Sequence, residues 1–192
     1  MKLLHIDSSI TGDHSVSRQL TASIVAMLTA TDPLLAVTRR DLAAAPLPHL
    51  DLAALPGDTN EGAIASAAVL EEFLASDIVV IGAPMYNFTI PSQLKAWLDR
   101  ILIAGKTFAY TAEGPKSLVS GKRVIVAVAR GNFYGAGAPA AALEHTETYL
   151  RDVFGFIGLA PEFVVAEGIA VGPEQRATAL DAASEHITAL AA

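Results

Sequence analysis

Short runs rich in β-branched and other apolar residues alternate along the chain with longer stretches in which apolar positions return every three or four residues. The runs Lys2 to Ile6, Leu35 to Arg39, Ile78 to Gly82, Arg123 to Val128 and Phe163 to Ala166 predict strands. The amphipathic stretches Ser17 to Thr29, Glu61 to Ala75, Pro91 to Ala104, Ala140 to Phe154 and Pro173 to Ala191 predict helices. Pro91 and Pro173 are placed to open a first helical turn, where a missing N–H breaks no hydrogen bond. Five β-α repeats result. Near-continuous apolar strands of this kind need cover on both faces, so the expectation is a doubly wound α/β domain with a five-stranded parallel sheet between two layers of helices. No fixed-period repeat and no linker interrupts the pattern, and Ala43 to Gly57 reads as a surface loop. One domain spanning residues 1–192 is expected.

Composition narrows the chemistry. Apolar residues make up 52% of the chain and charged ones 17%, which excludes disorder. The net charge of -7, with thirteen scattered Lys and Arg, argues against a nucleic-acid partner, because neutralising phosphates takes clustered cations. The absence of cysteine removes disulfides, thiolate nucleophiles and zinc-thiolate sites, so redox chemistry would have to come from a bound cofactor. The first residues enter a strand at once, with no charged leader and no long apolar run, so neither a signal peptide nor a membrane span is expected and a cytoplasmic location is.

In an open parallel sheet, ligands bind beyond the carboxyl ends of the strands where the winding reverses. The loop after the first strand, Asp7 to Arg18, is rich in hydroxyls and leads into a helix whose free N–H groups and dipole favour an anion. It carries neither GxGxxG nor GxxxxGK[ST], so Ser9, Ser15 and Ser17 would supply donors to a single terminal phosphate; a plain serine cap would look the same in isolation. After the third strand, Met85, Tyr86, Asn87 and Phe88 offer an apolar wall with an amide edge, as a planar ring requires, or alternatively a self-packed plug. After the fourth, Ala129-Arg130-Gly131-Asn132-Phe133-Tyr134 combines a close-approach glycine with polar and aromatic groups. These three loops fall on one edge if the strand order is 2-1-3-4-5, which makes their coincidence more telling than any one of them.

Other constellations are poor. Ser9, Asp13 and His14 lack a GxSxG elbow, so no hydrolase triad is expected. The five histidines are dispersed without metal-ligand spacing, so no metal is predicted, and His5 reads as structural. Glu71 and Glu72 belong to a solvated helix face.

Several segments are similar to the FMN-dependent NADH-azoreductase family of flavodoxin-like quinone reductases. They are Ser8-Ser9 with Ser15-Val16-Ser17, Pro84-Met85-Tyr86-Asn87-Phe88 with Gln93-Leu94-Lys95, Thr107 to Thr111 with Gly114-Pro115, Arg130-Gly131, Phe156-Ile157-Gly158 and Ala166 to Ala170. The resemblance covers nearly the whole chain and implies a flavodoxin-like fold and an enzyme with bound FMN. NADH would be the co-substrate, NADPH being the alternative, and quinones or azo compounds the acceptors in a two-step hydride transfer. It implies that Ser9, Ser15, Val16 and Ser17 hold the FMN phosphate, that Met85 to Phe88 line the ring, and that Ala129 to Asn132 meet its pyrimidine edge. The family's Ser-Arg-Gly-Gly is Ala129-Arg130-Gly131-Asn132 here, which shifts the expected contacts to the backbone. It implies a homodimer, suited by an apolar surface at Trp97 and at the Phe108 loop, with Tyr110 and Phe156 on the substrate side. No protein acid or base is required, since the flavin carries the chemistry. The rival expectations are a flavodoxin-type electron carrier without a small-molecule substrate, and a cofactor-free interaction module.

Overall fold

The computed structural model of the chain describes residues 1–55 and 60–190; the last two residues of the expected loop 43–57 and the last residue of the helix expected to end at Ala191 lie outside them. Strands β1 (Lys2–Asp7), β2 (Ala36–Asp41), β3 (Ile78–Pro84), β6 (Arg123–Arg130) and β7 (Glu162–Glu167) form one parallel sheet in the order β2-β1-β3-β6-β7. Helices α1 (Val16–Thr31) and α5 (Pro173–Ala189) pack on one face. Helices α2 (Glu61–Ala75), α3 (Ser92–Ile101) and α4 (Glu147–Phe156) contribute to a second core on the other. The central strand β3 is buried at every position, and so reads as an unbroken apolar run, whereas the edge strand β2 is largely exposed.

Two strands escape the periodicity. β4 (Phe108–Thr111) and β5 (Gly114–Ser117) pair antiparallel in a separate hairpin between α3 and β6. Skipping them, the expected order 2-1-3-4-5 is the observed one, with the fourth and fifth expected strands being β6 and β7.

Helix limits move for local reasons. Pro91 caps α3 rather than opening its first turn, and α3 stops at Ile101, short of Ala104, where the Thr107 hydroxyl donates to the Ile101 carbonyl at 2.7 Å and accepts from the Ile103 amide. The helix expected from Ala140 begins only at Glu147. The Glu144 carboxylate accepts from the amides of Thr146, Glu147 and Thr148 at 2.8 to 3.0 Å and starts it there, after a short turn at Ala141–Leu143. Pro173 does open α5.

Of the two readings of Trp97, core or interface residue, the core one holds. It is fully buried in this chain, edge-on to Phe73 at 5.9 Å, and Phe108 is buried as well, so neither presents apolar surface to a second copy. Among the described residues no helix is long and apolar enough to cross a membrane.

Candidate active site

The winding reverses between β1 and β3, and the loops that follow them are tied together there. The Ser8 hydroxyl donates to the Gly82 carbonyl at 2.6 Å. Position 82 has little room for a side chain, since a Cβ would sit 3.2 Å from Thr21 and 3.4 Å from the Asp7 carboxylate. Arg18 closes the loop from below, donating twice to the Ser9 carbonyl and gripping both Asp41 oxygens at 2.6 and 2.8 Å. Asp7, 1% exposed, is the buried anchor of this group. Burial drives its pKa upward, but His5 at 3.3 Å, Arg39 at 2.7 Å and the Thr21 hydroxyl at 2.9 Å outweigh it and hold the carboxyl below its ordinary range. His5, read from the sequence as structural, lies against this carboxylate, its buried Nε2 making no hydrogen bond among the described residues.

With the loop fixed, α1 starts at Val16 under a Ser15 cap, whose hydroxyl accepts from the Arg18 amide at 3.3 Å. A helix leaves its first amides without intrahelical acceptors, and Val16 at that start lines the same surface as Ser9 and Ser15. Ser17 is fully buried behind Ser15, 3.1 Å away, and supports it rather than facing outward.

On the β3 side, Tyr86 and Thr89 exchange backbone hydrogen bonds at 2.9 and 3.2 Å around Asn87 (φ 48°) and Phe88 (φ 75°). Two successive left-handed residues make a mirror-image turn, normally a place for Asn and Gly, so Phe88 is held there at a cost. The turn throws Asn87 and Phe88 into solvent, Phe88 resting edge-on against Tyr134. Tyr86 points the other way: its hydroxyl lies 3.1 Å from Ser9 Oγ and accepts from the Ile10 amide at 3.2 Å.

The β6 loop is clamped by Arg130. Its side chain, 3% exposed, sits among Glu144 (3.2 Å), Glu147 (2.8 Å) and Glu167 (3.5 Å). Glu167 in turn accepts from the amides of Tyr134 and Gly135. The backbone carbonyls of Arg130, Gly131 and Asn132 accept from Ile169, Ala170 and Gly168, joining this loop to the one after β7.

These loops enclose a cleft of about 290 Å³ lined by Ser9, Ser15, Val16, Met85, Tyr86, Ala129 and Gly131, among others. The structure therefore brings seven of the twelve expected cofactor contacts onto one surface. Ser17, Asn87, Phe88, Arg130 and Asn132 lie outside its lining, Arg130 because its charge is spent on the three glutamates. Thr11, His14, Pro84, Ile169 and Ala170 also line it; the first two lie in the hydroxyl-rich loop, and the last two follow the fifth sheet strand on the same edge, which is the signal that finds them. Tyr110 and Phe156 come together through Phe108, at 5.4 and 4.8 Å between ring centroids, but outside the lining. Chemically, the cleft offers anion donors at a helix start, a sulfur and aromatic wall beside them, and close-approaching backbone at Ala129 and Gly131. No carboxylate lines it among the described residues, and no cluster of three or more metal-ligating side chains occurs among them.

Comparison with known proteins agrees with this geometry. The family model described as flavodoxin-like fold matches residues 1–191. The chain is 60% identical to FMN-dependent NADH:quinone oxidoreductase 2 of Bradyrhizobium diazoefficiens, over 100% of both chains. Among solved structures it is similar to an azoreductase from Bacillus anthracis Sterne (31% identity, TM-score 0.89, 100% of this chain and 98% of that one). An FMN-dependent NADH-azoreductase from Bacillus anthracis Ames Ancestor, solved in complex with FMN, is similar at 26% identity with a TM-score of 0.87 over 100% of both chains.

Proposed function

Because the chain belongs to the flavodoxin-like fold family, in company with curated FMN-dependent NADH:quinone oxidoreductases, we propose that it is an FMN-dependent oxidoreductase passing two electrons from NADH to quinones or azo compounds. The observation that carries this reading is the cleft itself: buried hydroxyls and free amides at the start of α1 lie on one surface with the Met85 and Tyr86 wall. That donor set suits a phosphate monoester joined to a flat ring, which are the two ends of FMN.

In this reading Ser9, Ser15 and the amides of Val16 and Ser17 hold the phosphate, and Met85 and Tyr86 back the ring. Ala129, Gly131 and Asn132 meet the pyrimidine edge chiefly through their backbone, while Arg130 holds that loop in place from behind. Asn87 and Phe88 border the ring from the exposed turn. FMN held there would supply the two-electron redox chemistry between NADH and the acceptor. In this reading no dedicated protein acid or base is required, since solvent can supply the protons the acceptor needs. NADH is preferred to NADPH on the likeness to FMN-dependent NADH:quinone oxidoreductases. The working unit is a homodimer in the cytoplasm, each chain one domain, and Tyr110 and Phe156 form the acceptor wall where two copies meet.

An absorbance experiment tests the reading. The protein reconstituted with FMN is mixed anaerobically with NADH and then with benzoquinone. Bleaching of the visible flavin band followed by full recovery is expected. FMN bound but untouched by NADH would point to an electron carrier, and failure to bind FMN would overturn the flavoprotein reading.

A further inference from the structure

On the opposite face of the sheet from α1, a groove of about 140 Å³ runs between α2, the turn Leu52–Ala54 and the end of α3. Its walls are Leu50, Leu70, Leu74 and Ile103, and an apolar cavity of roughly 150 Å³ is enough to admit a benzene ring. Two polar groups in it are unusual. Arg100 is 3% exposed, yet among the described residues it makes a single hydrogen bond, from Nη1 to the Ala96 carbonyl at 2.8 Å. Arg100 forms no ion pair among the described residues, in contrast to Arg130, which has three carboxylates. Two acidic side chains whose charge acts on Arg100 are engaged elsewhere, Asp51 with the Ala54 amide at 2.9 Å and Asp99 with Lys95. Ser66 Oγ, on the α2 wall, is buried with no partner among the described residues. Lys106 adds a second positive charge at the groove and Glu71 a negative one, leaving the lining net cationic by one.

We propose that this groove is a second ligand site, in which Arg100 and Ser66 receive the carboxylate of a small aromatic or short-chain monocarboxylic acid whose apolar body lies against Leu70, Leu74 and Ile103. A carboxylate matches the planar fork of a guanidinium, and the buried Ser66 hydroxyl in the same groove adds a donor. Burial lowers the pKa of Arg100, a penalty on its charge that a bound anion relieves. Arg100 lies on α3, the helix that follows the Met85–Phe88 loop.

Calorimetric titration of the FMN-loaded protein with benzoate and with hexanoate tests this, with benzamide as the uncharged counterpart. Saturable one-to-one binding of at least one acid is expected, with none for benzamide. Arg100→Met should weaken it at least tenfold. Ile103→Trp, which fills the groove while leaving the arginine, should do the same and serves if the first variant fails to fold. Absence of saturable binding by both acids, or binding that survives both substitutions, would overturn the proposal. A perturbed flavin spectrum that persists in the variants would assign the acid to the active cleft instead, with the same consequence.

Discussion

The phenol of Tyr86 touches both Ser9 and the Ile10 amide, linking loops 77 and 76 positions apart in the chain. Removing that hydroxyl leaves the ring in place but frees the β1 loop, so Tyr86→Phe should cost about 1 kcal/mol of FMN binding. That is roughly a fivefold rise in Kd, read by quenching of flavin fluorescence, with little change in melting temperature. Asp41 is a residue of the opposite kind, important to stability rather than to binding. The Arg18 guanidinium, with the amides of Ala44 and Ala43, holds its carboxyl far below the ordinary range. A carboxylate whose pKa is depressed on folding stabilises the native state above its unfolded pKa of about 4, and that contribution drains away as the pH falls through the folded value. Asp7, and Glu162 beside Arg123, act with the same sign. Unfolding free energy from urea titrations should therefore be flat near neutrality and decline from about pH 5 downward. Asp41→Asn should lose about 1–3 kcal/mol at pH 7 and converge on the wild type in acid. Parallel profiles for the two proteins would show that the Arg18 pair contributes nothing.

At the scale of elements, the joint between α4 and the β4–β5 hairpin governs the aromatic cluster. The helix ends in a reciprocal cap, with the Leu159 amide on the Phe154 carbonyl and the Gly158 amide on that of Gly155, both at 2.9 Å. Gly158 takes φ +79°, and a Cβ there would lie 2.7 Å from Ser117, whose hydroxyl fastens the hairpin to the Ile157 carbonyl. Gly158→Ala should lower stability by about 1–3 kcal/mol, seen as a drop in melting temperature, and raise the KM for benzoquinone more than that for NADH, because Phe156 and the hairpin move together. Nothing in the periodicity announced this joint. Sheet strands such as β3 are legible because burial on both faces demands unbroken apolar runs, whereas Phe-Ala-Tyr-Thr and Gly-Pro-Lys-Ser carry no such demand. The site shows the same divide. That the loops after β1, β3 and β6 converge follows from topology and was readable. That Arg130 turns inward depends on Glu144, Glu147 and Glu167, tertiary partners that no local pattern encodes, and that Asn87 and Phe88 turn outward depends on a two-residue left-handed turn closed between Tyr86 and Thr89, where Phe is not a usual turn residue.

The molecule as a whole leaves an uneven surface around the cleft. Tyr110 is 75% exposed, Phe88 43%, Phe156 39% and Phe133 38%, although each packs against or near another aromatic or the cleft loops. Rings held in order yet left in water are unfavourable singly and suit burial against another surface. On the proposed homodimer, Tyr110 and Phe156 are the rings a second copy would bury, since both lie outside the lining of this chain's own cleft. Sedimentation at micromolar concentration should accordingly give about twice the chain mass of 20.0 kDa. Tyr110→Glu places a charge where the two copies would meet and should shift the protein toward monomer. It should also cut kcat/KM for benzoquinone by about tenfold or more, roughly the 1.4 kcal/mol of one well-buried aromatic contact. FMN affinity, which rests on the α1 start and the Met85–Tyr86 wall of a single chain, should stay within about twofold, since nothing in that surface touches the substitution. A wild-type monomer with full quinone turnover would mean that one chain completes its own acceptor site, and the hairpin would then have to fold over the cleft rather than across to a neighbour.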